Sequence, residues 1–187
     1  MELTKALTKE RQDRIYKLYL TAFPESERKP FPLLIEKQEE GIVDILSIEE
    51  DGHFLGLAIM VRYLDMVLLD YLAIDESARN GGYGSLTLQA LFEHYPDMRM
   101  ILEIDSTKEE TAADLGMRIR RKEFYQRNGL TDLPYEVNLW GNRMEMLSNG
   151  RPVRFEEYLA VYRESFGPAV TKNISLFAAD SPESTGF

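Results

Sequence analysis

The stretch DYLAIDESARNGGYGS, residues 70–85, decides the fold. Its first half closes an apolar run that starts at Met66 and reads as a buried strand over 66–75. Its second half crowds three glycines ahead of Leu86, Leu88, Leu91 and Phe92, whose spacing predicts a helix over 82–94. Gly82 and Gly84 leave no side chain between a ligand and the backbone N–H groups, and the helix dipole adds positive potential there. A strand, a glycine loop and a helix in that order make a seat for phosphate or pyrophosphate. Two familiar versions of such a seat fail on spacing. A dinucleotide fingerprint requires glycine where this chain has Thr87, and a P-loop requires Gly-Lys-Ser/Thr where Gly84 is followed by Ser85 and Leu86.

Upstream, residues 2–6 read as a strand, and Thr8 caps a helix over 9–22 with Ile15, Leu18 and Tyr19 as its apolar stripe. Pro24, Pro30 and Pro32 break the chain into a loop before a second helix that ends at Gly41. Residues 42–48 and 54–63 form a hairpin, and 66–75 is the third antiparallel strand. Downstream come a strand over 100–104, a polar loop over 105–116 and a helix over 117–128; Gly116 is costly inside a helix and so is read as loop. A second hairpin joins 133–140 to 143–147 across Gly141-Asn142. Phe155, Tyr158, Leu159 and Tyr162 mark a C-terminal helix, and roughly the last twenty residues read as a weakly structured tail. The pattern is mixed α/β, with a mostly antiparallel sheet of about seven strands, about four flanking helices and the C-terminal helix.

Composition narrows the function. The chain has 187 residues, 44% hydrophobic, and no cysteine, which excludes disulfides, thiolate metal sites and a cysteine nucleophile. His53 and His94 stand apart, in no metal-binding spacing, so no metal is expected. The N-terminus has no apolar leader, and no uninterrupted run of about 20 apolar residues occurs, so a cytoplasmic protein is expected. A net charge of −10 disfavours nucleic acid and anionic membranes as partners. It serves either solubility or the attraction of a cationic substrate. Residues 118–127 run against it, with five basic residues and one acidic.

Arg79-x-x-Gly82-x-Gly84 resembles the acetyl-coenzyme A signature of the GNAT superfamily of N-acetyltransferases. A second stretch, Phe124-Tyr-Gln-Arg-Asn-Gly-Leu130 behind the strand 100–104, is similar to that family's Phe-Tyr-x-x-x-Gly-Phe motif. The order of elements agrees, and the resemblance covers residues 2–148, implying a GNAT domain over 1–148 and a helix and tail over 149–187. It implies direct transfer of acetyl from acetyl-coenzyme A (acetyl-CoA) to a primary amine through a ternary complex, with a homodimer as a family-level possibility. Two other readings are a non-catalytic acyl-CoA sensor and a protein N-terminal or lysine acetyltransferase.

By the same resemblance, the strands 66–75 and 100–104 splay apart, with the pantetheine arm along the backbone of Leu72, Ala73 and Ile74. The pyrophosphate sits on Arg79, Asn80, Gly81, Gly82, Tyr83, Gly84 and Ser85. Tyr125 is the general acid toward the leaving thiolate, and Glu103 or Asp70 the path for the amine's proton. Arg118 and Arg121 share a helix face with Tyr125 and so are candidates for the cofactor's phosphates. Many members have Asn and Ala at these two positions, and Gly where this chain has Asn80. The acceptor amine would be bordered by Phe23, Glu27, Arg28, Phe31, Tyr135 and Trp140.

Overall fold

A strand covered on both faces is mostly apolar along its length, and this chain has three such strands in succession. In the computed structural model, which describes residues 1–177, they are β2 (Val43–Glu50), β3 (His53–Tyr63) and β4 (Met66–Ile74), each largely buried. The chain divides into two compact units, Met1–Leu102 and a second that begins at Glu103, so the boundary falls inside β5 (Arg99–Asp105).

In the first unit the strand order is β1 (Glu2–Lys5), β2, β3, β4, β5. The first four are antiparallel and β5 joins β4 in parallel. Helix α1 (Lys9–Ala22) packs on β3 and β4, α2 (Phe31–Glu39) on β2, and α3 (Tyr83–His94) on β1 and β4.

The feature that positions the site is an extra residue in β4. Tyr71 pairs with Ile59 and Leu69 with Met60, so Asp70 has no counterpart on β3. Such a bulge bends its strand and disrupts the local ladder. The parallel ladder to β5 accordingly covers only Met66↔Arg99, Val67↔Met100 and Leu68↔Ile101, and β4 runs on to Ile74 paired with β3. At that far end β3 carries Gly56, where a Cβ would lie 2.3 Å from the carbonyl oxygen of Ala73.

The second unit holds the end of β5, α4 (Leu115–Arg127), β6 (Thr131–Leu139), β7 (Asn142–Ser148), α5 (Phe155–Phe166) and β8 (Ile174–Leu176). Its strand order is β5, β7, β6, β8. The fold class is mixed α/β, with eight strands and five α-helices among the described residues.

Three expectations change. The tail expected after α5 is structured through residue 177: Ile174–Leu176 pairs with β6, and the Phe177 N–H donates to the Glu136 carbonyl at 2.9 Å. The open edge of β6 recruits the segment, a tertiary effect that three residues cannot announce in sequence; the rest of that expectation lies outside the described residues. Helix α4 starts at Leu115, so Gly116 occupies the first turn, where a backbone N–H has no intrahelical partner and a weak helix former costs little. Trp140 leaves the strand to become the first of two turn residues, Trp140 and Gly141, with φ of 49° and 89°. Two positive φ values in succession mark the tight hairpin turn whose twist suits its strands.

Gly56→Ala places a methyl group against the Ala73 carbonyl and is expected to destabilise the protein by about 2 kcal/mol, the range for overpacking a filled site. Urea unfolding measures it.

Candidate active site

From Ile74 the chain turns through Asp75, whose Oδ1 accepts from the Ser77 N–H at 3.0 Å and the Ser77 hydroxyl at 2.6 Å. These bonds hold the Asp75 carboxyl below its ordinary range and close a single helical turn over Glu76–Ala78. Asn80 and Gly82 then take left-handed backbone, with φ of 66° and 77°. Asparagine tolerates that geometry better than most residues, which is how Asn80 takes a positive φ without being glycine. Gly81 answers a different constraint, since a Cβ there would lie 2.8 Å from the ring of Tyr83. That ring is fixed in turn, because its hydroxyl donates to Glu50 Oε2 at 2.9 Å.

The result is a run of backbone donors. Among the described residues, the N–H groups of Asn80, Gly81, Gly82, Tyr83 and Gly84 have no protein acceptor, whereas those of Ser85 and Leu86 bond to the Gly82 carbonyl. Asn80, Gly81 and Gly82 are exposed, and a Cβ on Gly82 would meet nothing within 4 Å. Consecutive free N–H groups at a helix N-terminus are what an anionic ligand requires. The side chain of Arg79 is exposed beside them, with Nε 3.4 Å from the Ile74 carbonyl.

Around the bulge, Asp70 accepts Lys29 Nζ at both carboxylate oxygens, at 2.7 and 2.8 Å, and the two side chains are 5% and 17% exposed. The neighbouring Tyr71 donates its hydroxyl to the Glu27 carbonyl at 2.8 Å and accepts the Lys29 N–H at 3.0 Å. Its ring contacts Tyr19 and Phe23, each 4.9 Å away, and Phe31 packs on Tyr19. The loop between α1 and α2 is thereby pinned to β4, with Glu27 exposed and Arg28 and Phe31 half-buried along it.

In the second unit, Glu103 Oε1 accepts two hydroxyls from α5, Tyr158 and Tyr162, each at 2.8 Å. The Tyr135 hydroxyl is buried with no partner among the described residues, and its phenol is pushed up by burial and by the charge of Glu103. Trp140 packs on Tyr162 with ring centroids 5.9 Å apart. Tyr125, on α4, is half-buried; burial pushes its phenol up to about 12 against the opposing charge of Arg121. Arg118 bonds to Asp114 at 2.8 Å and Glu109 at 2.6 Å, and Arg121 bonds to Asp105 at 2.8 Å. Lys122 bonds to Glu145, so the basic stripe on α4 is largely met by carboxylates of its own unit.

Residues 12–130, from α1 to the end of α4, match the model of the acetyltransferase (GNAT) family. The chain belongs to the GNAT acetyltransferase family. No curated protein matches it. Solved structures similar to this GNAT chain include a protein from Bacteroides thetaiotaomicron described as a GNAT-family acetyltransferase, with 22% identity, 91% of this chain and 98% of the other covered, and a TM-score of 0.73. A spermidine N-acetyltransferase from Vibrio cholerae, solved with coenzyme A and spermine, is 10% identical over 84% of this chain and 97% of its own, with a TM-score of 0.62. A ribosomal-protein alanine N-acetyltransferase from Escherichia coli is 15% identical over 83% and 96%, with a TM-score of 0.60. At these identities the likeness is one of fold, and it spans small and protein acceptors alike.

Within this GNAT chain the structure groups the sequence candidates. Leu72, Ala73, Ile74 and 79–85 form one continuous path in the first unit, and Glu103 and Tyr135 gather at α5 in the second. Three contacts were not legible in sequence: Lys29 on Asp70, and Tyr158 and Tyr162 on Glu103. A signal existed for the tyrosines, since two phenols four residues apart on a buried helix face need a polar partner for their tips. For Lys29 there was none, because the ion pair joins residues 41 apart in the chain.

Lys29→Ala leaves Asp70 buried without its cation and is expected to cost about 3 kcal/mol of stability. Joint replacement by Lys29→Met and Asp70→Leu is expected to recover most of that loss in urea unfolding.

Proposed function

We propose that this chain transfers an acetyl group from acetyl-CoA directly to a primary amine, small and cationic in character. The observation that carries this reading is the run of N–H groups without acceptors from Asn80 to Gly84, in a chain whose family transfers acetyl groups. Five donors, two left-handed residues and open space above Gly82 fit a pyrophosphate. Leu72, Ala73 and Ile74 extend the same path beyond the end of the β4–β5 ladder, where an extended amide-bearing arm adds as a strand would.

The chemistry asks two things of the protein. An ammonium must lose a proton before its nitrogen lone pair can attack the thioester carbonyl, and Glu103 receives that proton. Collapse of the tetrahedral intermediate then breaks the C–S bond, and Tyr125 gives its proton to the departing thiolate. A phenol held near 12 keeps its proton at neutral pH and so is present as a donor beside the sulfur when the C–S bond breaks. Asp70 is the weaker candidate for the base, because both its oxygens are bonded to Lys29. Arg118 and Arg121 would serve the cofactor's phosphates by exchanging their carboxylate partners for phosphate oxygens. For the amine we propose Phe23, Glu27, Arg28 and Phe31 in the first unit, and Tyr135 and Trp140 in the second. Spermine and coenzyme A bound to the Vibrio cholerae structure support a cationic acceptor for this fold. A sensor that only bound acyl-CoA would have no use for a protonated phenol at Tyr125.

The direct test is thiol release from acetyl-CoA across a panel of polyamines, aminoglycosides, amino acids and peptides; silence across the whole panel overturns the reading. Gly82→Val puts a branched side chain where φ is positive and where the ligand would lie. It is expected to cost about 1–2 kcal/mol of stability and to abolish coenzyme A binding in calorimetry. Tyr125→Phe is expected to lower kcat on the order of 100-fold while leaving the coenzyme A Kd unchanged. In the pH profile of kcat, the share of the rate that depends on the Tyr125 proton is lost as pH rises through about 12.

A further inference from the structure

Tyr158 and Tyr162 lie on α5, beyond the span that matches the family. Four residues apart, they occupy one helix face, and they are 0% and 1% exposed. Both hydroxyls donate to the same atom, Glu103 Oε1, at 2.8 Å. Their rings meet edge to face at 5.5 Å, with Phe155 against Tyr158 and Trp140 and Phe166 against Tyr162. Ring packing fixes the position of each phenolic oxygen, and with both hydroxyls donating to one atom the pair holds the carboxylate in place.

We infer that Tyr158 and Tyr162 are positioning residues for acetyl transfer, a clamp from α5 that fixes the Glu103 carboxylate to receive the acceptor's ammonium and its proton. The inference rests on the acetyltransferase reading above and assigns a role to the helix outside the matched span. Packing alone would not select this arrangement. Replacing both partners of a buried hydrogen bond by apolar groups of the same shape can be nearly neutral or stabilising. Hydrogen bonds from two hydroxyls favour the anionic form of the carboxylate, the form that attracts a cation. Burial pushes the Tyr158 phenol well above its ordinary value, so it remains a donor throughout the working range.

The experiment is a double-mutant cycle on the full chain, using the fastest amine from the thiol-release panel and active-site concentration set by coenzyme A titration. Tyr158→Phe and Tyr162→Phe are each expected to lower kcat on the order of 10-fold, as for loss of a hydrogen bond to a charged group, with the coenzyme A Kd unchanged. In a Glu103→Gln background the same changes are expected to lower kcat no further, because the tyrosines act through that carboxylate. Additive losses in the two backgrounds overturn the clamp, as does a normal kcat in both single variants. A normal kcat in Glu103→Gln alone removes Glu103 and the clamp while leaving the acetyltransferase reading intact. A wild-type chain that binds coenzyme A and releases no thiol with any amine ends both.

Discussion

One extra residue in β4 is the constraint on which the first unit depends. A two-residue alternation cannot survive an insertion, so Asp70 forces the strand to bend and its parallel ladder to stop at Leu68. Past Leu68 the β4 backbone runs beyond the ladder to β5, and the chain delivers it straight into the glycine loop. The bulged residue is an acid, and Lys29 neutralises it. Because Lys29 belongs to the loop between α1 and α2, the same ion pair ties that loop to the bend. Tyr71, the next residue, repeats the tie with its hydroxyl and its ring. Strand geometry, charge burial and loop placement are therefore one coupled arrangement rather than three.

The glycine loop shows how few side chains an anion seat requires. Asn80 and Gly82 supply left-handed backbone, Gly81 makes room for the Tyr83 ring, and Glu50 anchors that ring from β2. In the function proposed above, positive charge enters through oriented N–H groups and the dipole of α3, which lets a chain of net charge −10 hold an anion. The basic stripe on α4 resolves differently. Arg118, Arg121 and Lys122 each meet a carboxylate within the second unit, so the local excess read from residues 118–127 is mostly balanced by acids elsewhere in the sequence.

Most of the fold was legible because its signals are local. Lys9–Ala22 carries its own cap and stripe, and β3 and β4 carry long apolar runs, the first entered through the Asp51-Gly52 turn. The glycine loop was legible because its spacing excludes its rivals. What escaped is what depends on residues distant in the chain. The edge strand Ile174–Leu176 exists because β6 has an open side, and Gly56 is required because Ala73 approaches it. Glu103 was visible as an acid on a strand, but its two phenolic partners lie 55 and 59 residues later. Separations of that size leave no pattern in a window of sequence.

Trp140 is the sole tryptophan of the chain, and it stands 47% exposed in a tight turn with its ring against Tyr162. Its indole thus sits one aromatic contact away from the hydroxyl that holds Glu103. The chain carries a single optical label against one of the two phenols that bond to the carboxylate. Its emission, free of any second tryptophan, reports on the packing around Tyr162 in the unmodified protein.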